Sequence, residues 1–127
     1  MPSQNRSPQV IARNAQATIA QKIERLARRV DRTIAQCRRF ERLAQSVAPW
    51  ATRWPTSSFE RLLDVGQSST SVRNRALVAL ALKATSDAGA VLDGYDPTEV
   101  GEEHELFYQV VRIEWEQRSA GGRQTPA

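Results

Sequence analysis

The sequence holds one cysteine, one histidine, one methionine and two lysines in 127 residues. A lone Cys37 excludes an intrachain disulfide and fits a reducing compartment. A lone His104 leaves a serine or cysteine triad only one candidate base. Its neighbours Glu102, Glu103 and Glu105 give it the look of a surface histidine on a helix start. No glycine pattern of a phosphate loop or a dinucleotide site occurs. The acids Asp93, Asp96, Glu99, Glu102 and Glu103 lack the alternation and following glycine of a calcium loop, and read more simply as favourable charges in a first helical turn. No run of about eighteen apolar residues is present, and the opening MPSQNRSPQ has no apolar segment. These absences set the expectations of no catalytic residue, no cofactor, no metal and no membrane span. The chain reads as a soluble, cytoplasmic protein that is not an enzyme.

What the sequence does have is arginine. Sixteen of its eighteen cations are Arg, the net charge is +4 and the isoelectric point is near 10.0, a balance that favours an anionic partner. The charge is also segregated along the chain. Residues 1–48 carry ten cations and three anions, residues 49–84 five and two, and residues 85–118 two and nine. A basic first half can meet phosphates, or the acidic end of another copy.

The period of the apolar residues is helical almost throughout, and strand alternation is absent. Residues 1–8 read as a disordered arm, residues 9–118 as a single helical domain and residues 119–127 as a disordered tail. From Ile19 the apolar positions step by four and three through Ile23, Leu26, Val30, Cys37, Phe40, Ala44 and Val47, with Thr33 the one polar interruption. Such a seam needs a partner, and it places Cys37 among buried groups. Pro49 is expected to stop this first helix, because the residue before a proline is pushed out of helical geometry.

Beyond it, Pro49 to Pro55 hold Trp50 and Trp54. The two rings read either as a cap on the open end of a bundle or as a stacking platform for an unpaired base, with Arg53 between them. Ser57 and Glu60 form a capping box for a short helix from Ser58 to Val65, closed by Gly66 in the left-handed conformation. A long helix over 72–92 is apolar on most sides and should be the central one, with a break around Ser86–Gly89. Asp96, Pro97 and Glu99 are the start signals of a last helix ending near Arg118. The fold expected is an all-α bundle of four to five helices with one long N-terminal amphipathic helix.

On a helical wheel Arg25, Arg28, Arg29, Arg32, Arg39 and Arg42 recur at threes, fours and sevens away from the seam, with Lys22 at its margin. Only Glu24, Asp31 and Glu41 interrupt Lys22–Arg42, whereas a plainly solvated helix interleaves its signs for i,i+4 pairing. This face fits phosphate contact without base readout. Leu62, Gly66 and Val72, followed by Arg73, Asn74 and Arg75, fall at positions that resemble a helix-turn-helix, although Leu62 is large and Arg75 polar for their places.

A second resemblance is more extensive. Thr56-Ser57-Ser58-Phe59-Glu60-Arg61-Leu62-Leu63 with Gln67, then Glu102-Glu103 and Leu106-Phe107 in a terminal aromatic helix, are similar to the C-terminal helical region of the large subunit of type I CRISPR effector complexes. In several such systems that region is also made as a separate small subunit. Between the patches, Arg73 to Asp87 has no matching feature. The resemblance implies a non-catalytic bundle, present in several copies beside other protein subunits, that holds displaced or guide-paired nucleic acid. Lys22, Arg25, Arg28, Arg29, Arg32, Arg39, Arg42, Arg73 and Arg75 would carry the contact. The alternatives are a coiled-coil-like structural assembly protein and a helix-turn-helix DNA-binding regulator.

Overall fold

A computed structural model describes the backbone of residues 8–64 and 69–124 and the side chains of residues 13–64 and 69–121. The expectation of all-α structure holds: five helices and no strand are found among the described residues. They are α1 (Pro8–Arg53), α2 (Thr56–Asp64), α3 (Thr70–Lys83), α4 (Ser86–Gly94) and α5 (Glu102–Gln124). Packing divides the chain into two units, Met1–Arg32 and Thr33–Ala127, so the domain expected over residues 9–118 spans both.

In the first unit every side chain from Arg13 to Arg32 is exposed. The second unit holds the hydrophobic core. Its centre is α3, in which Ala76, Leu77, Val78, Ala79, Leu80 and Ala81 are all fully enclosed. A helix apolar on every side must be surrounded. Around it pack Phe40, Val47 and Ala51 of α1, Phe59 and Leu63 of α2, Ala88 and Leu92 of α4, and Phe107, Val110 and Val111 of α5. Arg118 of α5 lies 5.9 Å over the Phe40 ring.

Five boundaries differ from those the sequence suggests. Pro49 does not end α1, which continues to Arg53. Val47 and Ala51 are one turn apart and both buried, so packing holds the register across the proline. Trp54 N–H then closes the end on the Trp50 carbonyl at 2.9 Å. The break after α3 falls at Ala84, whose φ of 54° is left-handed, and Thr85 caps α4 by accepting from Ala88 N–H at 3.4 Å. Asp96, Pro97 and Glu99 do not start α5. Asp96 instead folds back on Thr98, accepting from its backbone N–H at 2.9 Å and its hydroxyl at 2.6 Å, a local turn that competes with a helical cap. At its far end α5 continues through residues 119–124, beyond the Arg118 stop. Helix α2 starts at Thr56, two residues before Ser58. Of the arm expected over residues 1–8, Pro8 belongs to α1, and residues 1–7, the left-handed Gly66 and residues 125–127 of the expected tail lie outside the described residues.

Candidate nucleic-acid interface

The cationic residues fall into three settings. In the first unit Lys22, Arg25, Arg28, Arg29 and Arg32 are all exposed on one helix. Lys22, Arg25, Arg29 and Arg32 step by three, four and three, so they form one row, with neighbouring Cβ atoms roughly 5–6 Å apart. Arg28 pairs with Glu24 at 3.5 Å, both side chains mostly in water, which leaves the pair weak and open to exchange.

Beside that row runs the apolar seam. Ile19, Ile23, Leu26 and Val30 are 56, 60, 62 and 55% exposed. Within the second unit the apolar face of α1 shifts by one residue from the sequence expectation. Gln36, Phe40, Val47 and Ala51 are the buried set and Cys37 is exposed, which corrects its placement as an enclosed thiol. Phe40 and Val47 belong to both registers, and the core takes the side that also carries Gln36.

Arg39, Arg42 and Arg75 form the second setting. Arg39 Nη1 donates to Gln36 Oε1 at 3.1 Å, and Gln36 Nε2 donates in turn to Glu103 Oε2 at 3.2 Å. Arg39 and Arg42 line a cavity of about 380 Å³ with Leu43 of α1 and Ser71 and Asn74 of α3. Among the described residues no carboxylate contributes to its wall. Arg75 reaches its rim by donating to Ser71 Oγ.

Arg73 stands in the third setting, apart from the others. It is half-buried, and it lines a cavity of about 360 Å³ with Glu60, Asp64, Tyr95, Asp96 and Glu99. Its Nε is enclosed without a hydrogen-bond partner. Behind it lies His104, only 3% exposed, which corrects its reading as a surface histidine. His104 Nε2 is 2.6 Å from the Tyr95 hydroxyl, and Tyr108 donates its hydroxyl to the Leu92 carbonyl. Burial, and secondarily the charge of Arg73, push the His104 pKa down from 6.5. Burial pushes Tyr95 and Tyr108 up from 10.0, with Arg73 opposing at Tyr95. The helical spacing of His104 to Phe107 and Val111 was the signal that could have placed it inside.

Trp50 and Trp54 are in contact with ring centroids 5.3 Å apart and planes tilted by 54°, Trp54 lies 5.9 Å from Phe59, and Arg53 sits 6.0 Å over Trp50. The rings therefore rest on the core through Phe59 while each keeps nearly half its surface open. Among the described residues no group of three or more His, Cys, Asp or Glu is placed to hold a metal ion, and no helix is long and apolar enough to cross a membrane. Comparison of the chain with protein-family models, with curated proteins and with solved structures returns no match.

Proposed function

We propose that this chain is a non-catalytic helical subunit that binds nucleic-acid backbone through α1 and joins a larger assembly. The observation that carries the reading is the row of exposed cations from Lys22 to Arg32, interrupted only by Glu24 and Asp31. Such a row meets successive phosphates by charge and geometry and carries no base information. Arg39 and Arg42 extend the set in the second unit. The narrower form, a small subunit of a CRISPR-type effector that holds displaced or guide-paired strand, rests on the resemblance in residues 56–67 and 102–107 alone. The test is the salt dependence of binding to single-stranded DNA. With about six phosphates neutralised, log affinity falls with log salt at a slope of roughly −4. A slope near zero, or unchanged binding in an Arg28→Glu, Arg29→Glu, Arg32→Glu triple variant, overturns the reading.

A second reading, assembly through a paired helix, is favoured by the exposure of Ile19, Ile23, Leu26 and Val30. Ile23 and Val30 share one seam position and Ile19 and Leu26 the other, and the pairing of β-branched residues with Leu26 suits two parallel strands. The two readings are compatible, since the seam and the cation row are different faces of one helix. The helix-turn-helix alternative draws little support from α3. Its residues 76–81 are enclosed and Asn74 is buried, so only Thr70, Ser71 and Arg75, near its start, stand exposed for a groove.

A further inference from the structure

We propose that the cavity between α1 and α3 in the second unit, lined by Arg39, Arg42, Ser71 and Asn74, is a binding site for one phosphate group. The assignment rests on the backbone-binding reading for where that phosphate comes from, and it stands on separate geometry.

Two guanidiniums enter the same cavity wall without a carboxylate among its described lining residues, and its volume of about 380 Å³ is ample for a phosphate with its hydration. Arg39 is not free to wander. Its Nη1 is tied to Gln36, whose other end is held by Glu103, so the cation is set in place before any ligand arrives. Its remaining donors are available in the fixed fork that suits phosphate oxygens. Ser71 stands in the first turn of α3, where backbone N–H groups and the helix dipole favour an anion. Because Ser71 Oγ already accepts from Arg75, its own hydroxyl hydrogen remains to be donated outward.

The independent sign of a missing ligand is Asn74. Its side chain is 6% exposed, it lines this cavity, and its Oδ1 is enclosed with no hydrogen-bond partner. A buried polar atom left unpaired is costly and in native proteins calls for an explanation. Its Nδ2 has no partner either but is not enclosed, so the amide N–H donors are the end of the side chain left accessible where Asn74 lines the cavity. A phosphate oxygen would then meet Asn74, Ser71, Arg39 and Arg42 together. By contrast, Arg73, one residue away on α3, opens on Glu60, Asp64, Asp96 and Glu99, a wall that repels the same ligand.

The experiment follows the Asn74 side-chain amide and the Ser71 backbone amide by nuclear magnetic resonance during titration of the full chain with inorganic phosphate and, separately, with an oligothymidylate. Both signals should shift saturably with either probe. Arg42→Gln and Ser71→Asp should each weaken phosphate binding about tenfold. Ser71 is exposed and an acid in a first helical turn is favourable, so the second variant keeps the fold if the first does not. Absence of shifts with phosphate overturns the site, even if the oligothymidylate binds elsewhere with a steep salt slope. Shifts with phosphate but none with the oligothymidylate uphold the site and overturn its assignment to a nucleic-acid phosphate, while the salt slope of oligothymidylate binding decides the backbone reading separately. Phosphate binding undiminished in Ser71→Asp overturns the site.

Discussion

Gln36 of α1 donates from Nε2 to Oε2 of Glu103 at 3.2 Å, from a side chain that is 2% exposed. Its Oε1 accepts from Arg39 Nη1 at 3.1 Å. A buried glutamine is tolerable only when its amide is satisfied, and here both ends are used, one by a cation and one by an anion. The link joins α1 to α5 in the second unit and aligns Arg39.

Gln36→Ala removes two hydrogen bonds and leaves a void beside Phe40. Hydrogen bonds contribute about 1 kcal/mol each and a buried truncation adds to that, so a loss of about 2–3 kcal/mol is expected. Glu103→Gln retains an acceptor and lies at the exposed end, where water can replace the contact. It should cost about 1 kcal/mol or less. Urea denaturation followed by circular dichroism gives both values. An equal cost for the two variants would show that burial at Gln36 contributes nothing of its own.

Gly89 gives a prediction whose sign runs against helix propensity. Inside a helix, Gly→Ala ordinarily gains about 0.5–1 kcal/mol. At Gly89 a Cβ would stand 2.3 Å from Cζ2 of Trp115 and 2.7 Å from its Cη2, well inside contact distance. The indole cannot simply retreat, because its Nε1 donates to the Thr85 carbonyl at 3.0 Å. Overpacking of this kind costs about 1–3 kcal/mol, so Gly89→Ala should be destabilising despite the better helix former. Adding Trp115→Phe should recover part of the loss, since a smaller ring leaves room for the methyl. Thermal denaturation of the single and double variants decides this, and a stabilised Gly89→Ala would refute the close packing.

The pH dependence follows from His104. Its folded pKa is pushed below 6.5, first by burial and then by Arg73, so the neutral ring is the folded form. Between the depressed folded value and 6.5 the unfolded chain binds the extra proton. The stability this histidine contributes is therefore fully present above about pH 6.5 and is lost as pH falls through the folded value. Tyr95 and Tyr108 are raised above 10.0, which makes the unfolded chain the better acid, so stability also falls as pH rises past about 10. Urea midpoints should form a plateau between these limits. In His104→Gln the acid-side decline should shrink. A midpoint unchanged from pH 7.5 to 5 in the parent, at about constant ionic strength, would contradict the burial of this ring.

The class of fold was legible because α1 and α5 each state a helical period in their apolar residues, and local period is decided by local sequence, while α3 states only a continuous apolar run. The errors lie where packing between elements decides. The seam through Cys37 and the buried face through Gln36 share Phe40 and Val47, so α1 alone does not say which flank the core adopts. His104 was misassigned for the opposite reason: its acidic neighbours in sequence are on other faces of the turn, while Phe107 and Val111, one and two turns on, share its own. Pro49 obeys a real rule of local sterics that burial of Val47 and Ala51 overrides. At the candidate interface the arginines could be named from the wheel, but Ser71 and Asn74 could not, because the cavity joins residues about thirty positions apart and the only warning is a polar Asn on an apolar helix.

The seam of the first unit leads to the last prediction. Leu26 is 62% exposed, with Ile23 and Val30 nearly as open one turn to either side. Truncating an exposed side chain in an isolated helix changes stability by about 0.5 kcal/mol or less. If the stripe is an association surface, Leu26→Glu instead acts through the complex, where it buries an unpaired charge at a cost of several kcal/mol. The parent chain should then sediment as an oligomer whose mass falls on dilution, and Leu26→Glu as a monomer. Trp50, Trp54 and Trp115 all belong to the second unit, so their fluorescence reports its unfolding separately. That transition should be the same in monomeric Leu26→Glu as in dilute parent. Replacing Lys22 and Arg25 with Gln should leave the oligomer intact while weakening nucleic-acid binding, because phosphate contact uses the cation row and helix pairing the apolar one. Loss of assembly in the Lys22 and Arg25 variants, with Leu26→Glu still oligomeric, would mean that charge, not the apolar seam, joins the copies.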